Sequence, residues 1–405
     1  MVRASTERIC VTPTFTPVYL TGYKSPMRKL PIQGVHDDVY VQTSLIDING
    51  TFLYLYSTDW ISVEEGFYRD LAERLNREFG IDPNLVLVTA THNHQSVGAQ
   101  MKENEHFNQE YYDWLIDIAV EAYRKCLHKL EEVRVFYGKK VIEGYYASRV
   151  LENTLADNEV ILVEFRNAND EVVSAICNWA VHSTALTPEN SLLTSEFAGN
   201  TCEELFKLKG YHPHMVVGAA GDCSTRNTRQ GNDFAELARI STGMAKEIAA
   251  IPVEKELQLV YEGFKSISHH VDVTIDHQHV QQLIKETEEE LKTAEEFDRI
   301  KVLKSMLPAL QEQLSLDRVV EDWFANSIKL HDIEIIVTPG ELASKFGLQI
   351  KAVSRAACPL IFGYTNGKIG YLFPEELYGM TFETISSGIP AEEVQQYIDK
   401  IMTML

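Results

Sequence analysis

The chain has 405 residues, with 59 acidic against 37 basic side chains and a formal net charge of −22 at pH 7. That length suits two domains or one large α/β domain with insertions, because single cores stop growing near roughly 250–300 residues. The charge argues against binding nucleic acid or anionic lipid surfaces, and no run approaches the roughly 18 consecutive apolar residues of a transmembrane segment, so a small or neutral substrate is expected.

Cys10, Cys126, Cys177, Cys202, Cys223 and Cys358 are scattered, without the paired spacing of a metal motif or the density of a disulfide framework, so reduced thiols are expected. The first eight residues are polar and lack the apolar core of a signal peptide, from which a cytoplasmic location is expected.

Residues 9–60 read as β-rich, with a strand over 39–48, a hairpin turn at Asn49-Gly50 and a strand over 52–56. Asp59 follows as a turn or cap residue, or as a carboxylate supporting a site. Phe67, Leu71, Leu75 and Phe79 share one helical face over 63–79, and Gly80 is the stop. Residues 85–90 are a short buried strand, which makes a βαβ unit and a partly parallel sheet. The strand empties into His92-Asn93-His94. Side chains two apart in extended backbone point the same way, so the two imidazoles read either as half a metal site, at the end of a strand where open α/β sheets bind ligands, or as polar loop residues facing solvent.

A helix is expected over 108–129 and paired strands over 133–146, followed by Arg149 in a loop running to Asn158. Arg149 reads either as a solvated cation or as a grip on a substrate oxygen. Strands at 159–165 and 172–181 flank a turn at 167–170, and the second ends in His182, repeating the placement of His92. Residues 215–224 form another buried strand that ends in Gly221-Asp222-Cys223-Ser224, and a helix follows over 232–250. Ser224 lacks the flanking glycines of a nucleophile elbow.

Residues 277–327 are acidic and helical, with Leu283, Leu291, Phe297, Leu303, Leu307, Leu310 and Leu314 as an apolar stripe. They read as an inserted arm that packs on its own domain, forms a homo-oligomer contact or covers the site. A strand over 333–337 runs into Thr338-Pro339-Gly340-Glu341, placing Glu341 in the first turn of the next helix, where it also favours the helix dipole. A strand over 359–363, the Asn366-Gly367 turn and a strand over 369–373 complete the pattern, with Tyr371 reading by itself as core aromatic.

Two or three histidines and a glutamate just past strand ends fit the ligand set of a catalytic zinc with an open position for water. Zinc lowers the pKa of bound water to about 7 and polarises a carbonyl, the work of amide or ester hydrolysis.

Five ordered motifs then resemble the neutral (alkaline, non-lysosomal) ceramidases: Thr91-His92-Asn93-His94, Asn178-Trp179-Ala180-Val181-His182, Gly221-Asp222-Cys223-Ser224, Thr338-Pro339-Gly340-Glu341, and Asn366 through Tyr371 with Glu375-Glu376-Leu377-Tyr378. Tyr19 through Tyr23 and Gly34-Val35-His36 extend the likeness toward the start. The resemblance implies that His92, His182, Glu341 and Tyr371 hold Zn2+. It further implies that His94 contacts substrate, that Ser224, with Asp222 beside it, is nucleophile or essential donor, and that Arg149 holds a substrate oxygen. No proline follows Ser224, Val97-Gly98 replaces Gly-Pro after the His-x-His pair, and the family's later tyrosine falls at Phe382.

The expected fold is therefore α/β, with mixed, partly parallel sheets flanked by helices and a helical insertion at 277–327 within one catalytic domain spanning 1–405. The expected function is zinc-dependent hydrolysis of the amide bond of a small or lipid-like N-acyl substrate, which need not be ceramide. The family's immunoglobulin-like domain is not seen in this sequence. The competing readings are an inactive, ceramidase-like binding or assembly protein, and an esterase or thiol hydrolase using Cys223.

Overall fold

The structure, a computed structural model, describes residues 1–150, 155–385 and 387–405, with residue 298 described by its backbone. Part of the loop expected between Arg149 and Asn158, residues 151–154, lies outside the described residues.

Three sheets stack around a shared apolar core. The first takes Val2–Cys10, Tyr40–Ile48, Thr51–Thr58 and Val86–Ala90, with the edge pair Glu131–Glu132. Tyr40–Ile48 and Thr51–Thr58 form the expected hairpin about Asn49 and Gly50, whose φ angles of 53° and 92° suit a two-residue turn between right-twisted strands. Helix α1 (Glu65–Phe79) then carries the chain back to Val86–Ala90, parallel to Thr51–Thr58. It buries Phe67, Leu71 and Leu75, and ends at Gly80, where φ is 71° and the N–H returns to Asn76. Helix α2 (Gln109–Lys129), capped by Asn108, packs on the outer face beside α1.

The second sheet contains Arg134–Val141, Glu159–Arg166, Val172–Trp179 and His214–Val217, with Lys255–Leu257 at the edge. Its outer face is covered by α3 (Glu196–Lys209) and α4 (Phe234–Ala249). Val172–Trp179 and His214–Val217 are parallel. The expected strand pair over 133–146 is instead the single strand Arg134–Val141. Its partners are Glu159–Arg166 and Lys255–Leu257, so its apolar residues meet neighbours distant in sequence.

The third sheet orders Gly263–Thr274, Arg318–Leu330, Ile333–Val337 and Cys358–Phe362. Between its first two strands stand α5 (His277–Leu291) and α6 (Phe297–Leu314), which form the arm. The arm ends there: residues 318–327, expected to belong to it, are in the Arg318–Leu330 strand, which pairs along its length with Gly263–Thr274. Exposed polar residues on that ribbon, such as Lys265, Ser266, His270 and Asp322, hid the strands from a hydrophobicity reading. Phe297, expected in the buried stripe, is exposed, whereas Leu303 and Leu310 are fully buried with Met306 and Val280. Helix α7 (Ser344–Val353) connects the parallel strands Ile333–Val337 and Cys358–Phe362. The short α8 (Phe382–Ile385) packs against α6, and α9 (Ala391–Met404) covers the sheet's outer face.

Ile46, Leu53 and Leu87 from the first sheet, Val163 and Ile176 from the second, and Ile335 and Leu360 from the third bury one another in the central core. Central strands are therefore apolar on both faces and read as continuous hydrophobic runs. Sheets inside and helices outside give the expected mixed α/β class, and among the described residues no helix is long and apolar enough to cross a membrane.

Candidate metal and hydrolytic site

The carboxyl ends of the parallel strands point to one place, and side-chain staples hold them together. Asn178 donates from Nδ2 to the carbonyls of Val216 (3.1 Å) and Ile361 (2.8 Å), joining the second and third sheets. Asn366 receives the Val88 N–H at 2.7 Å and donates to Val86 O at 3.0 Å, joining the third sheet to the first. Asp59 accepts from the Tyr40 N–H at 2.9 Å, while its own carbonyl receives Asn93 Nδ2 at 3.2 Å, so it braces the His-x-His loop.

Close backbone approach requires glycine at two positions. A Cβ on Gly22 would lie 2.6 Å from His94 Cα, and Gly22 has a φ of 98°. A Cβ on Gly221 would strike the Glu341 carbonyl. His92 and Tyr364 themselves adopt left-handed φ angles of 55° and 54°, a strain of order 1–3 kcal/mol for such residues.

His92, His94 and Glu341 line a cavity of about 380 Å³, and the fully buried His182 meets His92 and Glu341 there. Glu341 Oε2 lies 3.1 Å from His182 Nε2 and 3.4 Å from His92 Nε2, while the two Nε2 atoms of His92 and His94 are 3.0 Å apart. The rings of His92 and His182 are fixed from behind by 2.7 Å contacts from Nδ1 to the carbonyls of Ile61 and Ala220. A carbonyl only accepts, so each Nδ1 carries the proton and each Nε2 offers a lone pair to the cavity. Burial lowers His92 to about 3 and holds His94 and His182 well below the ordinary imidazole range. These are neutral rings, and their contacts with Glu341 are not ion pairs. Lone pairs converging on a carboxylate repel unless a donor or a cation answers them; Arg149 answers that of His182 and the His94 ring meets that of His92, and a metal ion among them would answer both.

Ligands bound tetrahedrally at about 2.0–2.1 Å lie about 3.3–3.4 Å from one another. The Glu341–imidazole spacings match that edge length, and nitrogen with carboxylate oxygen is the donor chemistry of zinc. The residues present therefore fit a divalent metal, and the three histidines alone could hold one.

Glu341 reaches this position from the short strand Glu341–Leu342, paired in parallel with Tyr371–Leu372. It does not lie in the first turn of a helix as expected, because α7 starts at Ser344. Tyr371 is not a core aromatic: its ring stacks on His182 with centroids 6.2 Å apart, and its hydroxyl accepts from Arg149 at 3.1 Å.

Arg149 is buried rather than solvated. One amino nitrogen lies 3.1 Å from His182 Nε2, 2.9 Å from Gly221 O and 3.1 Å from Glu383 Oε1. Burial alone would lower its pKa, but Tyr371, Glu383 and Glu341 overcome that and hold the guanidinium firmly charged. Ser224 lines the cavity, pinned to the loop by the Arg226 N–H at 3.2 Å.

Asp222 and Cys223 do not line it. Asp222 Oδ1 receives both the N–H and hydroxyl of Ser344 at 2.8 Å, so this acid braces the entry to α7 instead of facing substrate. Burial raises the Cys223 thiol well above its ordinary range and its sulfur sits 3.0 Å from Ser344 Oγ, which removes it as a thiolate nucleophile.

Several residues of the site escaped the sequence reading. Tyr364 follows a parallel strand as His92 does, a usable signal, and its hydroxyl reaches Glu341 at 3.4 Å. Nothing in the sequence marked Arg28, whose guanidinium holds Gln95 Oε1 at 2.8 Å and His94 O at 3.3 Å, and Glu383 was named only as the end of the family likeness, without a role. Phe382, where the family's later tyrosine was expected, lines the cavity. So do Lys301, Val302 and Ser305, making α6 one of its walls.

No family model matches the chain. Its sequence is 23% identical over 210 residues to the neutral ceramidase of Pseudomonas aeruginosa (strain PAO1), a match covering 47% of this chain and 31% of that protein. Two solved structures share the fold over 100% of this chain and 74% of theirs. One is a ceramidase complexed with C2, with a TM-score of 0.76 and 18% identity. The other is the crystal structure of neutral ceramidase from Pseudomonas aeruginosa, with a TM-score of 0.75 and 19% identity. The resemblance read from the motifs thus holds in sequence and in fold.

Proposed function

We propose that this ceramidase-like chain is a zinc-dependent hydrolase that cleaves the amide bond of an N-acyl substrate, which need not be ceramide. The observation that carries the reading is the convergence of two proton-free imidazole nitrogens on Glu341 Oε2 at 3.1 and 3.4 Å, beside a buried arginine.

His92, His182 and Glu341 would hold the metal, with Tyr371 as the fourth ligand that the resemblance implies. When bound, zinc supplies Lewis acidity toward a carbonyl and lowers the pKa of water. The remaining work falls to the chain. Arg149, held charged by Glu383 and fixed by Gly221 O, offers N–H donors to the oxygen on which negative charge develops. Ser224 Oγ either attacks the acyl carbon or hydrogen-bonds the tetrahedral transition state formed by water. In the first route the Oγ–C bond forms as the C–N bond breaks, the amine leaves with the hydroxyl proton, and water then releases the acid. His94, whose buried Nδ1 has no hydrogen-bond partner among the described residues, would carry that proton.

An inactive binding protein would have no need of a nucleophile beside the charged donor, and Ser224 and Arg149 line the same cavity. The test is metal analysis of purified protein followed by a screen of N-acyl compounds. About one zinc per chain and release of free amine are expected. A fully loaded protein that hydrolyses no member would favour the binding reading.

A further inference from the structure

Tyr364 neighbours His92, His182 and Glu341 at once. Its ring lies against that of His92, with centroids 4.3 Å apart, and meets that of His182 edge-on at 6.2 Å, while its hydroxyl reaches Glu341 Oε2 at 3.4 Å. The side chain is buried and lines the cavity.

Backbone ties on either side put it there. Gly363 donates its N–H to Val217 O at 2.9 Å, in the second sheet, and Asn366 donates to Val88 O at 2.8 Å, in the first. Between these ties the Tyr364 carbonyl accepts the Ala90 N–H at 3.2 Å, and Thr365 bridges to Thr89. Crossing from one sheet to the other turns Tyr364 into its left-handed φ of 54°. A bulky residue seldom adopts that conformation, whereas glycine does so freely, so the turn does not explain a tyrosine. Such strain persists where the surroundings over-determine it, commonly at active sites. The ring also packs in the apolar core, but phenylalanine would fill that space as well. What needs a reason is the hydroxyl.

Its partner supplies one. Around Glu341 Oε2 stand His182 Nε2 at 3.1 Å, His92 Nε2 at 3.4 Å and the Tyr364 hydroxyl, and because both nitrogens lack protons the tyrosine is the donor among the three. Tyr371 is engaged differently, its hydroxyl accepting from Arg149 at 3.1 Å. A carboxylate oxygen that holds a metal keeps a further lone pair for a hydrogen bond, and such bonds orient metal-binding groups and typically account for about 10- to 100-fold in affinity.

We propose that Tyr364 is a positioning residue of the metal site: its hydroxyl donates to Glu341 Oε2 and aims that oxygen at the point where the His92 and His182 nitrogens converge. The inference rests on the metal reading of the site, not on the amide-hydrolase reading, and is measured without a substrate. At 3.4 Å the bond is longer than the roughly 2.5–3.0 Å usual between oxygens, so it adds little to the fold by itself.

The experiment compares the full chain with Tyr364→Phe, which keeps the ring and its packing. Dissociation constants for Zn2+ and Co2+ are read by competition with a chromophoric chelator, and the melting temperature of the metal-free protein is recorded beside them. The variant should bind both ions about 10- to 100-fold more weakly, melt within about 2 °C of the parent when metal-free, and keep the parent's Co2+ absorption bands, because no ligand is lost. Equal affinity in parent and variant overturns the inference and leaves the metal reading standing. A metal-free melting temperature lower by several degrees also overturns it, because the hydroxyl would then serve the fold. So does a changed Co2+ spectrum with a loss far beyond a hundredfold, which would make Tyr364 a ligand in its own right. A parent chain that binds neither ion defeats the metal reading and this inference with it.

Discussion

His182 Nε2 stands 3.1 Å from Glu341 Oε2, while the far side of its ring is tied at 2.7 Å to the Ala220 carbonyl. The tie fixes the tautomer and the tautomer turns a lone pair toward a carboxylate, where Arg149 now meets it and a bound metal would satisfy both groups. His182→Ala or Glu341→Gln should therefore cut bound zinc to a small fraction of about one per chain and abolish hydrolysis, as elemental analysis after dialysis would read. A chelator should lower the melting temperature of the parent chain and leave both variants unmoved, since a ligand of the native state stabilises only what binds it. Full occupancy in both variants would remove these residues from the metal site.

Ser224 and Cys223 are neighbours in sequence with opposite surroundings: one lines the cavity, and the other is buried against Ser344. Ser224→Ala should slow turnover by at least about a hundredfold, the usual effect of losing a nucleophile or a donor to a developing oxyanion. Cys223→Ala should leave turnover within a few-fold and cost some stability through the small void it creates. An acyl group trapped on Ser224 with a slow substrate, seen by mass spectrometry, would select the covalent route. The reverse ranking of the two variants would restore the thiol.

What was legible in the sequence was local. His92, His182 and Glu341 were visible because each follows a short apolar run, and burial on both faces makes such runs easy to recognise. Arg149 was left open because its burial depends on Glu383, 234 residues away, and no local pattern records a long-range pair. Asp222 looked catalytic by position, yet its direction is set by Ser344, which belongs to another loop. The Gly263–Thr274 and Arg318–Leu330 ribbon was missed because much of it faces water and its alternation is filled with polar residues.

Glu196 should give the fold a pH dependence of its own. It is fully buried at the start of α3, and burial pushes its carboxyl up to about 7 against the opposing pull of the Leu186 and Phe197 N–H groups. The unfolded chain releases this proton near pH 4.3, so between about 4.3 and 7 the folded state holds more protons than the unfolded state. Stability from this group is complete below pH 4.3 and is lost as pH rises through 7, by about 4 kcal/mol at 1.36 kcal/mol per pKa unit. Denaturant melts of the parent and Glu196→Gln across pH 5–8 would read it, and the variant should lose much of the downward slope. Parallel curves would show that Glu196 stays ionised in the folded chain.

The last prediction concerns the arm. Leu303 and Leu310 of α6 are fully buried, but in a small cluster of their own with Val280, Met306 and Ile275, against which Phe382 and Ile385 pack. The same helix presents Lys301, Val302 and Ser305 to the cavity. Truncating a buried leucine typically costs about 2–5 kcal/mol. Because this cluster is separate from the three sheet cores, much of that cost should appear as local opening of α5 and α6. In Leu303→Ala, amide exchange across residues 277–314 should accelerate while exchange in the Val86–Ala90 and Val172–Trp179 strands stays slow. KM should rise several-fold as the wall loosens, with a smaller change in kcat, since the metal and Ser224 are held by other elements. A dimer contact would instead give a mass change by light scattering, with kinetics that depend on protein concentration. If exchange in the arm accelerates and both KM and mass remain unchanged, the arm packs on its own domain and closes nothing.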